Sequence, residues 1–339
     1  MITIRDIARE AHVSVATVSR VLNNPQLVNE ERRLRVLQVI GERNYYPNEV
    51  ARGLITKLTK SIGLFVTDVE NTFFTALIKG VTDGLYASGI DIYLCITGND
   101  LDREMRYMDN MLKKRTDCAL LIGTRPRDAK NNEMILAMAE AMPVVMVFEY
   151  MPDVGIYSIR TDEINWARQA VKYLIGLGHR RIGFINGDRN HSTYYQKQLG
   201  YEVALAEEGI GRQDRYCVRV SPYEAGGYEG AQALLSLTDP PTALFTASDQ
   251  IALGAYRAIA AKGLRVPGDV SVIGFGGIPF AAEMSPSLTT VDQHPYEVGE
   301  NAAKLVLKIL HGKEIREKQT ILQADLVLRD SCAPPKTET

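Results

Sequence analysis

The chain has 339 residues, more than one ordinary domain holds and suited to two or three. With 45% hydrophobic and 24% charged residues it has the composition of a folded globular protein, and no apolar run reaches the roughly 18 residues a membrane helix needs. The net charge of −2 argues against a nucleic-acid binder until its distribution is read: residues 1–60 hold ten Lys and Arg against six Asp and Glu, a net of +4 that leaves −6 for the remainder. The start, Met1-Ile2-Thr3-Ile4-Arg5-Asp6, lacks the basic-then-apolar pattern of a secretion signal. Cys95, Cys118, Cys217 and Cys332 are scattered, three of them inside apolar strand-like runs, so buried free thiols and a reducing cytoplasm are expected.

The first elements read as short helices. Arg5–Ala11 places Ile7, Ala8 and Ala11 at helical spacing, and His12-Val13-Ser14 breaks it at a turn that favours a positive φ. A second helix is expected over Val15–Asn23, with Ser14 as its N-cap and Asn24-Pro25 as its end. A third, Asn29–Arg43, carries Leu34, Leu37, Val39 and Ile40 as its apolar side. Two short helices joined by a three-residue turn form a helix-turn-helix unit, whose second helix would enter the major groove. Its leading side chains are Val15, Ala16 and Arg20, with Thr17 and Ser19 in support. Arg20 suits guanine or phosphate, and the two small apolar residues suit thymine methyls. Three helices packed for structure alone are the competing reading of the same pattern.

From Lys60 onward apolar runs alternate with amphipathic helices. Strands are expected at Ile62–Thr67, Ile92–Ile96, Ala119–Ile122 and Val144–Phe148, then at Ile182–Asn186, Cys217–Val220, Ala243–Ala247 and Val270–Phe275. Helices fall at Phe74–Ala87, Asp102–Lys114, Glu163–Leu177, Tyr194–Glu207, Glu224–Leu235 and Gln250–Ala261. Continuous apolar strands separated by helices indicate parallel sheets covered on both faces. Two such sets imply two similar lobes, and the cleft between them is the default ligand site.

The run from Thr3-Ile4-Arg5-Asp6-Ile7-Ala8 through Ala11 to Asn23, together with Tyr46-Pro47-Asn48-Glu49-Val50-Ala51-Arg52-Gly53-Leu54, resembles the head and hinge of the lactose/galactose repressor (LacI/GalR) family. The resemblance continues through Leu177-Gly178-His179-Arg180-Arg181-Ile182, Ser248-Asp249-Gln250-Ile251-Ala252-Leu253-Gly254-Ala255 and Val266-Pro267-Gly268-Asp269-Val270-Ser271-Val272-Ile273-Gly274-Phe275. It implies an α/β fold in which an N-terminal all-α helix-turn-helix head precedes a two-lobed, periplasmic-binding-protein-like sensor of doubly wound parallel sheets. The implied limits are 1–46 for the head, 47–60 for hinge and linker, 61–160 with 292–319 for the first lobe, 161–291 with 320–330 for the second, and a frayed tail over 331–339. The helix Glu297–Leu310 would belong to the first lobe.

The same resemblance implies a ligand-responsive repressor of a carbohydrate-utilisation operon. It would bind a near-palindromic double-stranded operator as a homodimer, with a tetramer left open. Thr3, Ser14, Val15, Ala16, Thr17, Ser19, Arg20 and Asn23 would meet the DNA, and Leu54 would wedge into the minor groove and kink it. Phe73, Phe74, Phe148, Glu149, Lys197, Asp249 and Gln293 would line the effector site. Three departures stand out: Lys197 replaces an arginine fork, Phe148-Glu149 replaces a polar pair, and Gly276 replaces an aspartate. They point to a modified or acidic sugar, or another polar metabolite, with Lys197 as its charge partner, unless Glu149 neutralises that lysine. No nucleophile elbow, phosphate loop or metal-ligand spacing is present, so neither enzyme activity, cofactor nor metal is expected. A solute receptor without a DNA-binding role is the alternative.

Overall fold

Three helices make the head: α1 (Ile4–Glu10), α2 (Val15–Asn23) and α3 (Glu30–Glu42). The computed structural model describes residues 2–45, 58–123, 129–151, 153, 155–188 and 191–336. The hinge motif, Leu54 included, lies outside them. Thr3 opens α1, its backbone N–H and Oγ1 both donating to Asp6 at 3.0 and 2.6 Å. His12 takes φ +52° in the turn, the left-handed conformation expected there. Ser14 Oγ accepts from Thr17 N at 3.1 Å and so caps α2. The head core is Ile7, Ala8, Ala11, Val18, Val21, Val36 and Val39. Here the reading of α3 needs correction: Leu34 and Leu37 are 57% and 46% exposed, whereas Val36 is fully buried. Residues two apart on a helix lie on nearly opposite sides, so a core at 36 and 39 turns 34 and 37 outward.

The sensor alternates β1 (Ser61–Val66), α4 (Thr72–Tyr86), β2 (Asp91–Ile96), α5 (Leu101–Lys114), β3 (Cys118–Ile122), α6 (Ala129–Ala141), β4 (Val144–Val147) and β5 (Ile156–Thr161). The chain then crosses into a second lobe: α7 (Glu163–Gly176), β6 (Ile182–Asn186), α8 (Ser192–Glu207), β7 (Cys217–Arg219), α9 (Glu224–Leu235), β8 (Ala243–Thr246), α10 (Asp249–Ala261), β9 (Ser271–Gly276), α11 (Phe280–Glu283) and β10 (Thr289–Asp292). It returns for α12 (Pro295–Leu310) and β11 (Gln319–Leu322), and crosses again to β12 (Asp325–Val327). The first sheet has the order β11-β5-β4-β3-β1-β2 and is parallel throughout. The second has the order β12-β10-β9-β8-β6-β7, with only the β10–β12 pair antiparallel.

Each lobe has its own apolar interior. Leu64, Leu120, Val145 and Val147 pack beneath α4 and α12 in the first, and Phe184, Phe245, Val272 and Ile273 build the second. The α12 helix does join the first lobe, and glycine makes its close approach to α4 possible: a Cβ on Gly80 would lie 2.0 Å from the Tyr296 carbonyl oxygen. Two boundaries differ from the expectation. β11 pairs with β5 through Leu322, so the last crossover falls after residue 322 rather than at 320. The tail is not frayed through residue 336. Ser331 is fully buried, its carbonyl accepts from Val272 N at 2.9 Å, and Ser271 Oγ donates to the Ala333 carbonyl at 3.0 Å. His179 is the hub beneath that tail: its ring meets Thr242 Oγ1 at 2.8 Å, Ser271 Oγ at 3.1 Å and the Ala333 carbonyl at 2.9 Å.

Candidate operator interface and effector cleft

On the head, α2 turns Val15, Ala16 and Arg20 outward, while Thr17 and Ser19 are half-buried. The three outward side chains are those expected to reach base edges. Ser14 and Thr3 are exposed but occupied as helix caps, and Asn23 donates back to the Ser19 carbonyl at 2.9 Å. The positive charge is divided. Arg9, Arg33, Arg35 and Arg43 are paired with Asp6, Glu30, Glu31 and Glu10. Arg5, Arg20 and Arg32 are exposed and make no ion pair among the described residues, which leaves their guanidinium groups open to phosphate or base acceptors.

In the sensor, the carboxyl ends of strands from both sheets surround a cavity of about 270 Å³. This is the placement that parallel sheets dictate, since loops leaving those ends converge on the space between lobes. Six of the seven expected effector residues line it: Phe73, Phe74, Phe148, Lys197, Asp249 and Gln293. Asn71 caps α4 by accepting from Phe73 N at 3.0 Å and so fixes the two phenylalanines at the cleft wall. The Phe73 ring lies 5.5 Å from Phe74, edge to face, and 5.3 Å from Phe148. Phe148 holds φ +66°, a strained conformation for an aromatic residue that aims its ring at Phe73. Across the cleft Phe73 meets Gly276, where an added Cβ would lie 3.5 Å from the ring. With φ +134°, Gly276 also has a backbone that a side-chain-bearing residue rarely adopts. The glycine that stands where the family carries an aspartate thus suits the backbone conformation of the turn after β9, while the Phe73 ring lies at ordinary contact distance from it.

The polar centre of the cleft is buried. Lys197 Nζ donates to the Ala247 carbonyl at 3.0 Å, stands 4.1 Å above the Phe275 ring and lies 3.5 Å from Glu163 Oε2. Burial holds this lysine below the usual range, with Glu163 and Asp249 pulling the other way. Asp249 is pushed up by burial, against the donors on it: Gly277 N at 2.7 Å, Ile278 N at 3.0 Å and Thr290 Oγ1 at 2.5 Å. It is therefore a bracket for the loop after β9 as well as part of the wall. Gln293 Nε2 donates to Thr161 Oγ1 and Glu163 Oε1, both at 2.7 Å.

Two expectations fail here. Glu149 is not part of the wall; its carboxylate accepts from Ser192 Oγ at 2.5 Å and so joins the end of β4 in one lobe to the start of α8 in the other. Lys197 is neutralised by Glu163 and engaged by a carbonyl and a ring, so it does not stand as an unpaired cation awaiting an acid. The sequence reading missed Glu163. Its signal was the run Ile156–Thr161, a strand whose end leads through Asp162, the N-cap of α7, to Glu163 on the cleft wall.

A helix-turn-helix head on a two-lobed α/β receptor defines a DNA-binding regulator with a ligand sensor. Residues 3–48 match the family of bacterial regulatory proteins, lacI family, and residues 171–332 match the periplasmic binding protein-like domain. The chain is 34% identical to the ribose operon repressor of Haemophilus influenzae over 98% of each chain. It is 26% identical to a solved complex of the transcriptional regulator CelR with cellobiose, covering 98% of this chain and 100% of that one with a TM-score of 0.73. It shares the fold of the lac repressor dimer bound to operator and the anti-inducer ONPF, with a TM-score of 0.86 at 24% identity, covering 98% and 99% of the two chains. The protein belongs to the LacI family of bacterial transcription regulators.

Proposed function

We propose that this regulator represses a carbohydrate-utilisation operon from the cytoplasm, and that a small polyhydroxy effector, a sugar or sugar derivative, switches it. The observation that carries this reading is the cleft itself: apolar ring faces from Phe73, Phe148 and Phe275 stand beside buried hydrogen-bonding groups from Lys197, Glu163 and Gln293. Such a wall suits a molecule with both C–H faces and a rim of hydroxyls. The relatives named for the ribose operon and solved with cellobiose favour the same class. The pairing of Lys197 with Glu163 favours an uncharged effector over the acidic sugar suggested by the sequence.

Each head would read one half of a near-palindromic operator from a homodimer, with Leu54 as the minor-groove wedge. A surface suited to dimerisation is β2, an edge strand of the first sheet whose Tyr93, Leu94 and Ile96 are exposed. Effector binding would alter operator affinity by favouring one lobe arrangement over another. No turnover is part of this role. A thermal-shift screen of neutral sugars against uronic acids and sugar phosphates tests the effector class. A neutral sugar is expected to raise the melting temperature, and stabilisation by the acids alone would refute the reading.

A further inference from the structure

Glu163 opens α7 immediately after the first crossover between the lobes and is 2% exposed. Its two carboxylate oxygens have different surroundings. Oε1 accepts from Gln293 Nε2 at 2.7 Å and faces Thr161 Oγ1 at 3.4 Å, and Gln293 binds that same threonine at 2.7 Å. Thr161 ends β5 and Gln293 follows β10, so Oε1 sits where two separate crossovers meet. Oε2 is buried with no hydrogen-bond partner among the described residues. The nearby Lys197 Nζ gives Oε2 charge balance from 3.5 Å, at the outer limit of a hydrogen bond, while its short hydrogen bond of 3.0 Å goes to the Ala247 carbonyl. Glu163, Lys197 and Gln293 all line the cavity. A buried carboxylate oxygen with an unmade hydrogen bond is among the groups a ligand donor satisfies most strongly.

We propose that Glu163 is an effector-binding residue whose Oε2 accepts a hydroxyl of the bound polyol, and that its Oε1 passes occupancy to the crossovers at Thr161 and Gln293. This rests on the cleft being the effector site. The hydroxyl completes the coordination that the protein leaves open. Because Oε1 is tied to both crossovers, any shift of the carboxylate toward ligand is felt where the lobes hinge. An amide at this position would turn either an N–H₂ donor or a weaker, uncharged oxygen toward the ligand, and would leave Lys197 without its counter-charge.

The test uses the full-length protein and Glu163→Gln with D-ribose, D-glucose, cellobiose and their monodeoxy derivatives, followed by thermal shift and calorimetry. The expected result is that a sugar stabilising the wild type binds the variant about ten- to hundredfold more weakly. One monodeoxy derivative should show a similar loss on the wild type and no further loss on the variant. Equal affinity of wild type and variant overturns the assignment of Glu163 while leaving the cleft as effector site. Failure of every sugar to bind the wild type overturns the effector reading and this inference with it. Should the variant not fold, the wild type still decides: a sugar from which every hydroxyl can be removed without loss refutes the role.

Discussion

Replacing Lys197 by methionine keeps the length and apolar stem of the side chain and deletes the ammonium. Both groups are buried, with Lys197 7% and Glu163 2% exposed, so the change leaves the Glu163 carboxylate buried without its counter-charge. Removing one partner of a buried pair costs about 3–5 kcal/mol. The Ala247 carbonyl also loses its donor, and the attraction to Phe275 across 4.1 Å disappears, while the added apolar contact offsets part of the loss. A net destabilisation of about 3 kcal/mol is therefore expected for Lys197→Met. In Lys197→Met/Glu163→Gln the stranded charge is gone, so the double variant is expected to be more stable than Lys197→Met alone by at least about 1 kcal/mol. Urea unfolding of the wild type, both single variants and the double variant gives the coupling directly. Additive effects, or a Lys197→Met cost below about 1 kcal/mol, would refute the buried pair as the organiser of the cleft.

Other perturbations address separate parts of the structure. Arg20→Ala should weaken operator binding by about ten- to hundredfold in fluorescence anisotropy and leave sugar binding unchanged; unaltered operator affinity would remove Arg20 from the interface. Gly276→Ala puts a side chain on a backbone at φ +134°, so a melting temperature lowered by backbone strain is expected, and an unchanged melting temperature would contradict the strain argument. Burial holds His179 below the usual histidine range, against the pull of its bond to the Ala333 carbonyl. The unfolded chain then binds the extra proton first, so the contribution of His179 is complete above about pH 6.5 and is lost as the pH falls through its lowered folded value. Melting temperatures between pH 7 and 5 should therefore fall more steeply in the wild type than in His179→Asn, and parallel curves would count against the tail hub.

How much of this was legible follows from which signals are local. The turn at His12, the cap at Ser14 and the limits of α2 were readable because each depends on neighbours within a few residues. The fully apolar strands at the centre of each sheet were readable for the same reason. The short strands β5, β10, β11 and β12 were not read as strands, being mixed in polarity or only three to six residues long, and they owe their conformation to partners far along the chain. Missing β5 hid Glu163, and without it Lys197 looked like a free cation. The exposed Leu34 and Leu37 show the opposite failure: Val39 and Ile40 pack as expected, but hydrophobicity alone added two leucines that face outward and passed over the buried Val36. Glu149 was placed near the cleft by its position after β4, but only the arrangement of the two lobes reveals that it meets Ser192.

The account stands or falls on whether occupancy of the cleft governs DNA binding by the head. The direct measurement is operator affinity of the full-length protein by fluorescence anisotropy, on DNA fragments flanking its own locus, with and without a sugar shown to bind. The account predicts tight, salt-sensitive binding to one fragment and a change of at least about tenfold when the sugar is added. Operator affinity that is indifferent to a sugar saturating the cleft would contradict it.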